Sequence, residues 1–154
     1  MRSLANLISI LKTKNLTVAT AESCSSGYLS YLLTKTAGSS KVFKGGIIVY
    51  SLEAKNKFFK IPYPLLRKTQ GVSSEISKTL ALGARKIFKT DIGASILGFA
   101  GPEGKKVGLV YIAVANKTGV ICKKMVIKGS RDTVRKKTSF LAIKLIYNKV
   151  VSSL

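Results

Sequence analysis

Histidine is absent from this 154-residue sequence. Its absence excludes Ser-His-Asp and Cys-His catalysis, zinc sites with histidine ligands, and imidazole as a general base. Cysteine and acidic residues are scarce, with two Cys and six Asp or Glu in the whole chain, so no structural metal site is expected. Any acid–base chemistry therefore has to use Lys, Tyr, Glu or Asp.

Long apolar runs and export signals are missing as well. No apolar run reaches the ~18 residues that span a bilayer. The first six residues carry one basic residue and no A-x-A cleavage pattern, so no signal peptide is predicted. The two cysteines are far apart and form no C-x-x-C pair. The expectation is a cytoplasmic protein with reduced thiols and no membrane partner.

Acidic residues are greatly outnumbered, since 27 Lys and Arg face 6 Asp and Glu for a net charge of +21. Such a balance suggests nucleic-acid binding. The basic residues are mostly scattered lysines, however, and the densest groups are Lys123–Lys124 and Arg135–Lys137. Dispersed lysines are more often a solvated surface than a docking stripe. We expect weak, salt-sensitive contact with nucleic acid and no specific nucleic-acid partner.

The sequence does contain enough apolar residues for a core. Hydrophobic residues make up 46% of the chain, which is typical of a globular protein. A chain of this length is one domain of ordinary size. Because no repeat, linker or change of composition divides it, residues 1–154 are predicted to form a single domain.

Hydrophobic periodicity predicts the order of the elements. Apolar residues at helical spacing predict an N-terminal helix (Leu4, Leu7, Ile8, Leu11), a helix over residues 73–90 and a helix from about 131 to the end. Shorter helices are predicted from 28 to about 35 and from 51 to before Pro62. Strands are predicted at 16–19, 43–50, 92–99, 107–115 and 120–122, the last two joined as a hairpin. This order predicts an α/β fold: a three-layer α/β/α domain with a mixed, mostly parallel sheet containing one antiparallel hairpin.

Hydroxyl and thiol side chains crowd the segment 20–27, which reads T-A-E-S-C-S-S-G and follows the first strand. A strand that ends in a small-residue turn and opens a helix leaves backbone N–H groups unpaired at the helix N-terminus. Those groups attract an anion or stabilise an oxyanion. Capping the helix needs only one Ser or Thr, and this segment has several. It is therefore a candidate site.

Two more segments follow predicted strands, residues 50–55 (Y-S-L-E-A-K) and 98–104 (G-F-A-G-P-E-G). Open α/β sheets bind ligands at such strand ends. Each segment alone is ordinary: a strand-end tyrosine, a surface lysine, a flexible loop. Together, Ser23, Tyr50 and Lys55 supply the groups that a histidine-free hydrolase needs.

The order and spacing of these segments resemble the CinA C-terminal domain family. The matching stretches are residues 20–27, A-G-S-S at 37–40, residues 50–55, residues 98–102 and G-S-R at 129–131. The resemblance covers nearly the whole chain and implies a homo-oligomeric, metal-independent enzyme without a cofactor. In its stand-alone form, this family deamidates nicotinamide mononucleotide to nicotinate mononucleotide and ammonia in pyridine-nucleotide salvage. The implied partner is a pyridine nucleotide.

The resemblance also implies roles for individual residues. Ser23, Tyr50 and Lys55 match the catalytic serine, tyrosine and lysine of the family. Arg131 matches an arginine expected near the substrate phosphate. The other substrate-binding residues predicted in this way are Glu22, Cys24, Ser25, Ser26, Gly27, Gly98, Ala100 and Gly101.

A mechanism can be argued from the residue types. Ser23 is the predicted nucleophile, and nearby backbone N–H groups are the predicted oxyanion donors. Lys55 can act as the base only if burial or a cationic neighbour lowers its pKa. Tyr50 is expected to relay a proton or to hold Lys55 in place. Cys24 is the rival nucleophile because a helix N-terminus lowers a thiol pKa, but no histidine is available to activate it.

Departures from the family pattern support a second hypothesis. Ser26 replaces a glycine in the tight turn, Leu97 replaces a threonine and so removes a polar contact expected at the site, and Ser130 replaces an aspartate. The loop after Pro102 is shorter and reads K-K-V-G in place of K-P-V-G. A nucleotide-binding or regulatory domain of the same fold with weak or no turnover is therefore the alternative to an amidase. A basic nucleic-acid-associated protein is a third hypothesis, supported only by charge.

Overall fold

The computed structural model describes residues 2–152. In chain order its elements are α1 (Arg2–Thr13), β1 (Val18–Glu22), α2 (Tyr28–Thr34), β2 (Phe43–Ile48), α3 (Leu52–Phe59), α4 (Tyr63–Thr69), α5 (Ser74–Ile87), β3 (Ile92–Gly98), β4 (Leu109–Asn116), β5 (Gly119–Val126) and α6 (Arg131–Ser152). A single 3-10 turn at Ser39–Lys41 precedes β2. None of the helices within residues 2–152 combines the length and apolar character needed to cross a membrane.

The five strands form one sheet in the order β2-β1-β3-β4-β5. Strand β1 lies parallel to both β2 and β3, while β4 runs antiparallel to β3 and β5. Four of the five strands therefore point the same way. The predicted mixed sheet with a β4–β5 hairpin is confirmed, and the antiparallel pairing extends to β3 because the chain returns beside that strand after the loop at 99–108.

Helices cover both faces of the sheet, so the predicted three-layer α/β/α arrangement is confirmed. One core cluster packs side chains of α1, α2 and α6 against the sheet and includes Leu7, Leu29 and Ile143. A second cluster packs α4 and α5 against the opposite face and includes Leu66 and Leu80. Helix α5 lies so close to β3 that a Cβ on Gly93 would come within 1.9 Å of the Ala81 carbonyl oxygen, and only glycine fits there.

Local sequence signals account for the helix starts and for two strand errors. The Ser51 and Ser73 hydroxyls cap α3 and α5 by accepting hydrogen bonds from backbone N–H groups. Strand β1 begins later than predicted because the Leu16 N–H still donates to Leu11 at the end of α1. Strand β5 is longer than predicted because alternate residues of this edge strand face solvent, which hides its second half from a search for apolar runs.

Candidate functional site

The three segments singled out in the sequence meet at one edge of the sheet. They follow β1, β2 and β3, which are adjacent and parallel, so their carboxyl ends lie side by side. The loops enclose a cavity of about 720 Å³. Its walls are formed by Ser23, Cys24, Tyr50, Ser51, Leu52, Lys55, Gln70, Val72, Gly98, Phe99, Ala100, Gly101, Pro102, Glu103 and Arg131.

Ser23 and Lys55 are in direct contact in this cavity. Ser23 directly follows β1, and its N–H donates to the Ile96 carbonyl at 2.9 Å, so the sheet holds its backbone. Lys55 lies in the first half of α3 and is only 2% exposed. Its Nζ donates to Ser23 Oγ at 3.1 Å and to the Tyr50 carbonyl at 3.4 Å. A hydroxyl and an amine are thus joined by a hydrogen bond out of contact with bulk water.

Burial changes the chemistry of the Lys55 amine. Loss of solvent lowers the pKa of Lys55 from 10.5 to about 8, and the opposing effect of Cys24 is smaller. On the order of a tenth of the Lys55 side chains are then neutral at pH 7. Burial therefore supplies the pKa change that a lysine base requires.

The rival nucleophile, Cys24, lies in an environment that suppresses its reactivity. Its side chain is buried, and burial raises the pKa of the thiol to about 11, with the negative charge of Glu22 adding to the rise. The thiol therefore stays protonated at neutral pH and lacks the thiolate character of a reactive cysteine. The pKa of Cys24 is not lowered as the sequence suggested, because desolvation outweighs the contributions that lower it.

Glu22 is a buried anion that the chain itself satisfies. Its side chain is 0% exposed, and its two carboxylate oxygens accept five hydrogen bonds of 2.6 to 3.1 Å. The donors are the Ser25 hydroxyl, the backbone N–H groups of Gly27, Leu29 and Ser30, and the Ser30 hydroxyl. The N–H groups at the start of α2 are therefore already paired. The expectation that they attract an external anion is wrong, because the Glu22 carboxylate takes the position that such an anion would occupy.

The predicted binding residues divide into two groups around this turn. Cys24, Gly98, Ala100, Gly101 and Arg131 line the main cavity. Glu22, Ser25 and Gly27 do not line it, and Ser26 lines an adjoining pocket of about 270 Å³ instead. That pocket is also bordered by Cys24, Tyr50, Arg131 and Arg135.

Tyr50 and Arg131 form a bridge across the mouth of the cavity. The Tyr50 side chain is 59% exposed, and its hydroxyl accepts a hydrogen bond from Arg131 Nη2 at 2.8 Å. Arg131 Nη1 donates to the Gly101 carbonyl. The phenol is therefore bonded to Arg131, and Tyr50 contacts Lys55 through its backbone carbonyl.

Arg135 is a contact to the site that the sequence reading missed. Its Nε donates to the Cys24 carbonyl at 3.1 Å and its Nη2 to the Ser25 carbonyl at 3.4 Å. The available signal was the spacing of Arg131 and Arg135, four apart at the start of a helix and so on one face. In the sequence alone, Arg135 is only part of the basic cluster Arg135–Lys137.

Leu97 lies outside the cavity. Its side chain is fully buried in the apolar cluster between the sheet and α5. Leucine at this position adds core packing and does not line the cavity. Among residues 2–152, no three Cys, Asp or Glu side chains come close enough together to hold a metal ion.

Relatives are found over nearly the whole chain. Residues 2–150 match the family model of the CinA C-terminal domain. A putative competence-damage inducible protein of Acetivibrio thermocellus is 40% identical over 146 residues, which are 92% of this chain and 35% of that protein. A CinA-like protein of Geotalea uraniireducens is 37% identical over 148 residues, which are 94% of this chain and 35% of that protein. The chain thus spans about a third of the length of these relatives.

Solved structures show the same fold. The competence/damage inducible protein CihA from Agrobacterium tumefaciens has a TM-score of 0.91 at 29% identity, covering 96% of this chain and 93% of that one. A CinA superfamily protein from Klebsiella pneumoniae has a TM-score of 0.93 at 23% identity, covering 98% of this chain and 97% of that one. With sequence, fold and family model in agreement, the chain belongs to the CinA C-terminal domain family.

Proposed function

We propose that this chain is an amidohydrolase that converts nicotinamide mononucleotide to nicotinate mononucleotide and ammonia. The observation that carries the proposal is the 3.1 Å hydrogen bond between Ser23 Oγ and Lys55 Nζ, two buried side chains that line the cavity. Family membership and the matching motifs favour the substrate. A serine activated by a desolvated lysine is one of the ways to make a hydroxyl nucleophilic without histidine.

In the proposed first step, Ser23 Oγ attacks the carboxamide carbon and its proton passes to neutral Lys55. The carbonyl oxygen becomes an oxyanion as the new C–O bond forms. When the C–N bond breaks, protonated Lys55 gives its proton to the departing nitrogen, which leaves as ammonia. Lys55 thus acts first as base and then as acid, as its pKa near neutrality allows.

In the proposed second step, water attacks the acyl group on Ser23. Neutral Lys55 accepts a proton from this water and returns it to Ser23 Oγ as the C–O bond to serine breaks. The products are nicotinate mononucleotide and the regenerated enzyme. This sequence of steps needs neither a metal nor a redox cofactor to balance.

The oxyanion needs hydrogen-bond donors near Ser23. Within residues 2–152 the Cys24 N–H donates to no other residue, and Cys24 lines the cavity. By contrast, the Ser26 N–H is bonded to the Ser23 carbonyl at 3.0 Å. We assign the oxyanion site to the Cys24 N–H group.

The cavity has the size and charge for a mononucleotide. Its volume of about 720 Å³ is within the usual range for small-molecule sites. Arg131 at the mouth offers a guanidinium to the phosphate. The positive pyridinium ring would lower the Lys55 pKa further, since a nearby cation disfavours a second one.

The decisive experiment is an assay of ammonia release from nicotinamide mononucleotide by purified protein, with and without excess chelator. We expect turnover that is unaffected by the chelator. We also expect kcat/KM to rise about tenfold per pH unit below 8, where Lys55 must lose its proton. Absence of ammonia above background at high enzyme concentration would support the alternative of a binding domain without turnover.

A further inference from the structure

A second concave feature lies on the surface where the end of α3 meets α5, and we call it the α3–α5 groove. It has a volume of about 570 Å³. The residues that line it are Phe58, Phe59, Lys60, Thr79, Leu82, Gly83, Lys86 and Ile87. None of them lines the cavity that contains Ser23 and Lys55. The groove is therefore separate from the candidate functional site.

The apolar side chains of the α3–α5 groove are accessible to solvent. Phe58 is 50% exposed, Ile87 46% and Leu82 44%. Single exposed apolar residues are normal on a protein surface, but an apolar group that lines one concavity and is bordered by polar residues marks an interaction site. These three side chains border the same depression. They therefore form a surface on which a partner can bury apolar area.

Close packing between the two helices forms the floor of the groove. A Cβ on Gly83 would come within 2.3 Å of the Phe59 ring, so the ring packs directly against α5. Glycine is unfavourable inside a helix, and the approach of this ring requires it here. Phe59 thus joins the end of α3 to α5. The depression is part of the packed domain and does not depend on a loop.

The rim of the groove carries positive charge. Lys60 and Lys86 line it, and no acidic residue does. Lys57 Nζ lies 5.8 Å from the centroid of the Phe58 ring. Within residues 2–152 the one ion pair joins Asp132 and Lys136, so these three ammonium groups have no carboxylate partner in that part of the chain. An occupant with negative charge would supply it.

We infer that the α3–α5 groove is a docking site for an acidic amphipathic helix of another protein. The groove follows α5 from residue 79 to residue 87, a distance of about 12 Å or two helical turns. An amphipathic helix fits such a groove by placing apolar side chains from successive turns into it. Its acidic residues would then lie beside the rim lysines. The inference does not depend on the proposed function.

Two other occupants fit the groove less well. In a symmetric dimer a patch contacts its own copy, which would bring the rim lysines of two chains together, each chain with a net charge of +21. A membrane surface takes up apolar side chains that protrude from a protein, whereas this surface is concave. An acidic helix satisfies both the shape and the charge.

The test uses a fluorescein-labelled amphipathic peptide of about five helical turns, with leucines on one face and glutamates on the other. Fluorescence anisotropy measures its binding to the full chain. A matched peptide carries lysine at every glutamate position. We expect the acidic peptide to bind and the lysine peptide not to bind.

Apolar variants locate the peptide on the protein. Leu82→Ser removes an apolar contact from the groove and should weaken binding about tenfold. Val126→Ser is the matched control, since Val126 is an exposed apolar residue of β5, 68% exposed. This control should bind as the wild type does. Circular dichroism checks the folding of each variant, and Phe58→Ser replaces Leu82→Ser if the latter does not fold.

Charge variants separate a specific rim from the general charge of the chain. The double variant Lys60→Glu/Lys86→Glu reverses two rim charges and should weaken binding by about tenfold or more. Lys123→Glu/Lys124→Glu makes the same change of net charge on β5. Because salt screens distant charges, this control should change the affinity by about twofold at most in 0.15 M salt.

Three results would overturn the inference. Equal weakening in the groove and control variants, or no binding of the acidic peptide, would show that the groove is not its docking site. Self-association in sedimentation equilibrium that is lost in Leu82→Ser would assign the groove to a second copy of the chain. Binding to phosphatidylglycerol vesicles that is lost in Leu82→Ser, without peptide binding, would assign it to a membrane.

Discussion

Glu22 and Lys55 are two buried ionisable side chains on opposite sides of the same strand end. They differ in the number of hydrogen bonds they make and in their access to the cavity. Glu22 accepts five hydrogen bonds and is sealed from the cavity. Lys55 makes two, at 3.1 and 3.4 Å, and lines the cavity. A buried charge with a full set of partners is part of the framework. A buried amine with few partners shifts its pKa and becomes available for chemistry.

The pleat of β1 separates the two regions. Successive residues of a strand point to opposite faces, so Glu22 points towards α2 and the next residue, Ser23, towards Lys55 on α3. Thr20, on the Glu22 side, continues the interior network through its hydroxyl contact with Ser30 at 2.8 Å. The framework and the reactive pair are thus adjacent in sequence but on different sides of the sheet.

The largest effect on turnover should come from a substitution on the face of the sheet that carries Ser23 and Lys55. Ser23→Ala removes the proposed nucleophile and should lower turnover on the order of a thousandfold or more while keeping the fold. Cys24→Ala, the neighbouring control, should cost mainly packing, and thiol-alkylating reagents should leave the wild-type rate unchanged because the thiol stays protonated. The measurement is ammonia release together with circular dichroism. If Cys24→Ala abolishes turnover and Ser23→Ala does not, the nucleophile is Cys24 and the proposed role of Ser23 is wrong.

Glu22→Gln tests the framework side. A glutamine amide keeps the shape but presents an NH₂ group to several N–H donors, leaving them buried without an acceptor. We expect the free energy of unfolding to fall by about 3 kcal/mol. Glu53→Gln, an exposed acid in the first turn of α3, should change it by less than about 0.5 kcal/mol. Equal losses in denaturant titrations of the two variants would contradict the assignment of Glu22 to the framework.

Lys55→Met should change the free energy of unfolding in the opposite direction to Glu22→Gln, that is, it should raise it. The folded pKa of Lys55, about 8, lies below its unfolded value of 10.5, so the wild-type protein bears the full cost of the buried charge below pH 8 and recovers it between pH 8 and 10.5. That cost is on the order of 3 kcal/mol, and losing the Ser23 hydrogen bond offsets about 1 kcal/mol of the gain.

We therefore expect Lys55→Met to be more stable than the wild type by about 2 kcal/mol at pH 7, while losing turnover. The gain should shrink as the pH approaches 10.5. Denaturant titrations at pH 7 and pH 10 measure the difference. A variant that is less stable at pH 7, or a difference that does not change with pH, would show that Lys55 belongs to the framework as Glu22 does.

Ser26→Gly should have the smallest effect and concerns the turn between the two regions. Ser26 has a φ of +50°, in the left-handed region, where a side chain costs about 1 kcal/mol. Glycine should recover about that amount, measured as an increase in the free energy of unfolding. Ser74→Gly, in the first turn of α5 where the backbone is helical, should instead destabilise by about 0.5 kcal/mol or more. A loss of stability in Ser26→Gly would mean that its side chain makes a compensating contact.

The meeting of the three loops could be predicted, because strand-end position depends on the local pattern of apolar runs and on the general geometry of parallel strands. The selection of Ser23 and Lys55 as candidate reactive groups could also be predicted, from residue type, from the lack of histidine and from the family resemblance. The hydrogen bonds that Arg131 and Arg135 make to the loops could not be predicted from the sequence. Arg135 and Cys24 are 111 residues apart, and no local signal indicates which backbone oxygen a long side chain will reach.

Glu22 shows a different limit of sequence reasoning. The family resemblance implied a substrate-binding role for Glu22, and a single sequence does not show which way a strand-end side chain points. The structure turns it inward, where it replaces the external anion that the helix start would otherwise attract. The hydroxyl of Tyr50 is a similar case, since its partner depends on where α6 packs. The predicted cytoplasmic location, the single domain and the homo-oligomer stay predictions.

The arginines of α6 have a consequence for the order in which the site is completed. Arg131 and Arg135 lie downstream of every loop that they hold. Synthesis proceeds from the N-terminus. The segment that contains Ser23, Tyr50 and Lys55 therefore leaves the ribosome well before Arg131 and Arg135 do. A nascent chain therefore carries Ser23 without the hydrogen bonds that organise the surrounding loops, and the proposed hydrolysis would have to wait until α6 has emerged and docked.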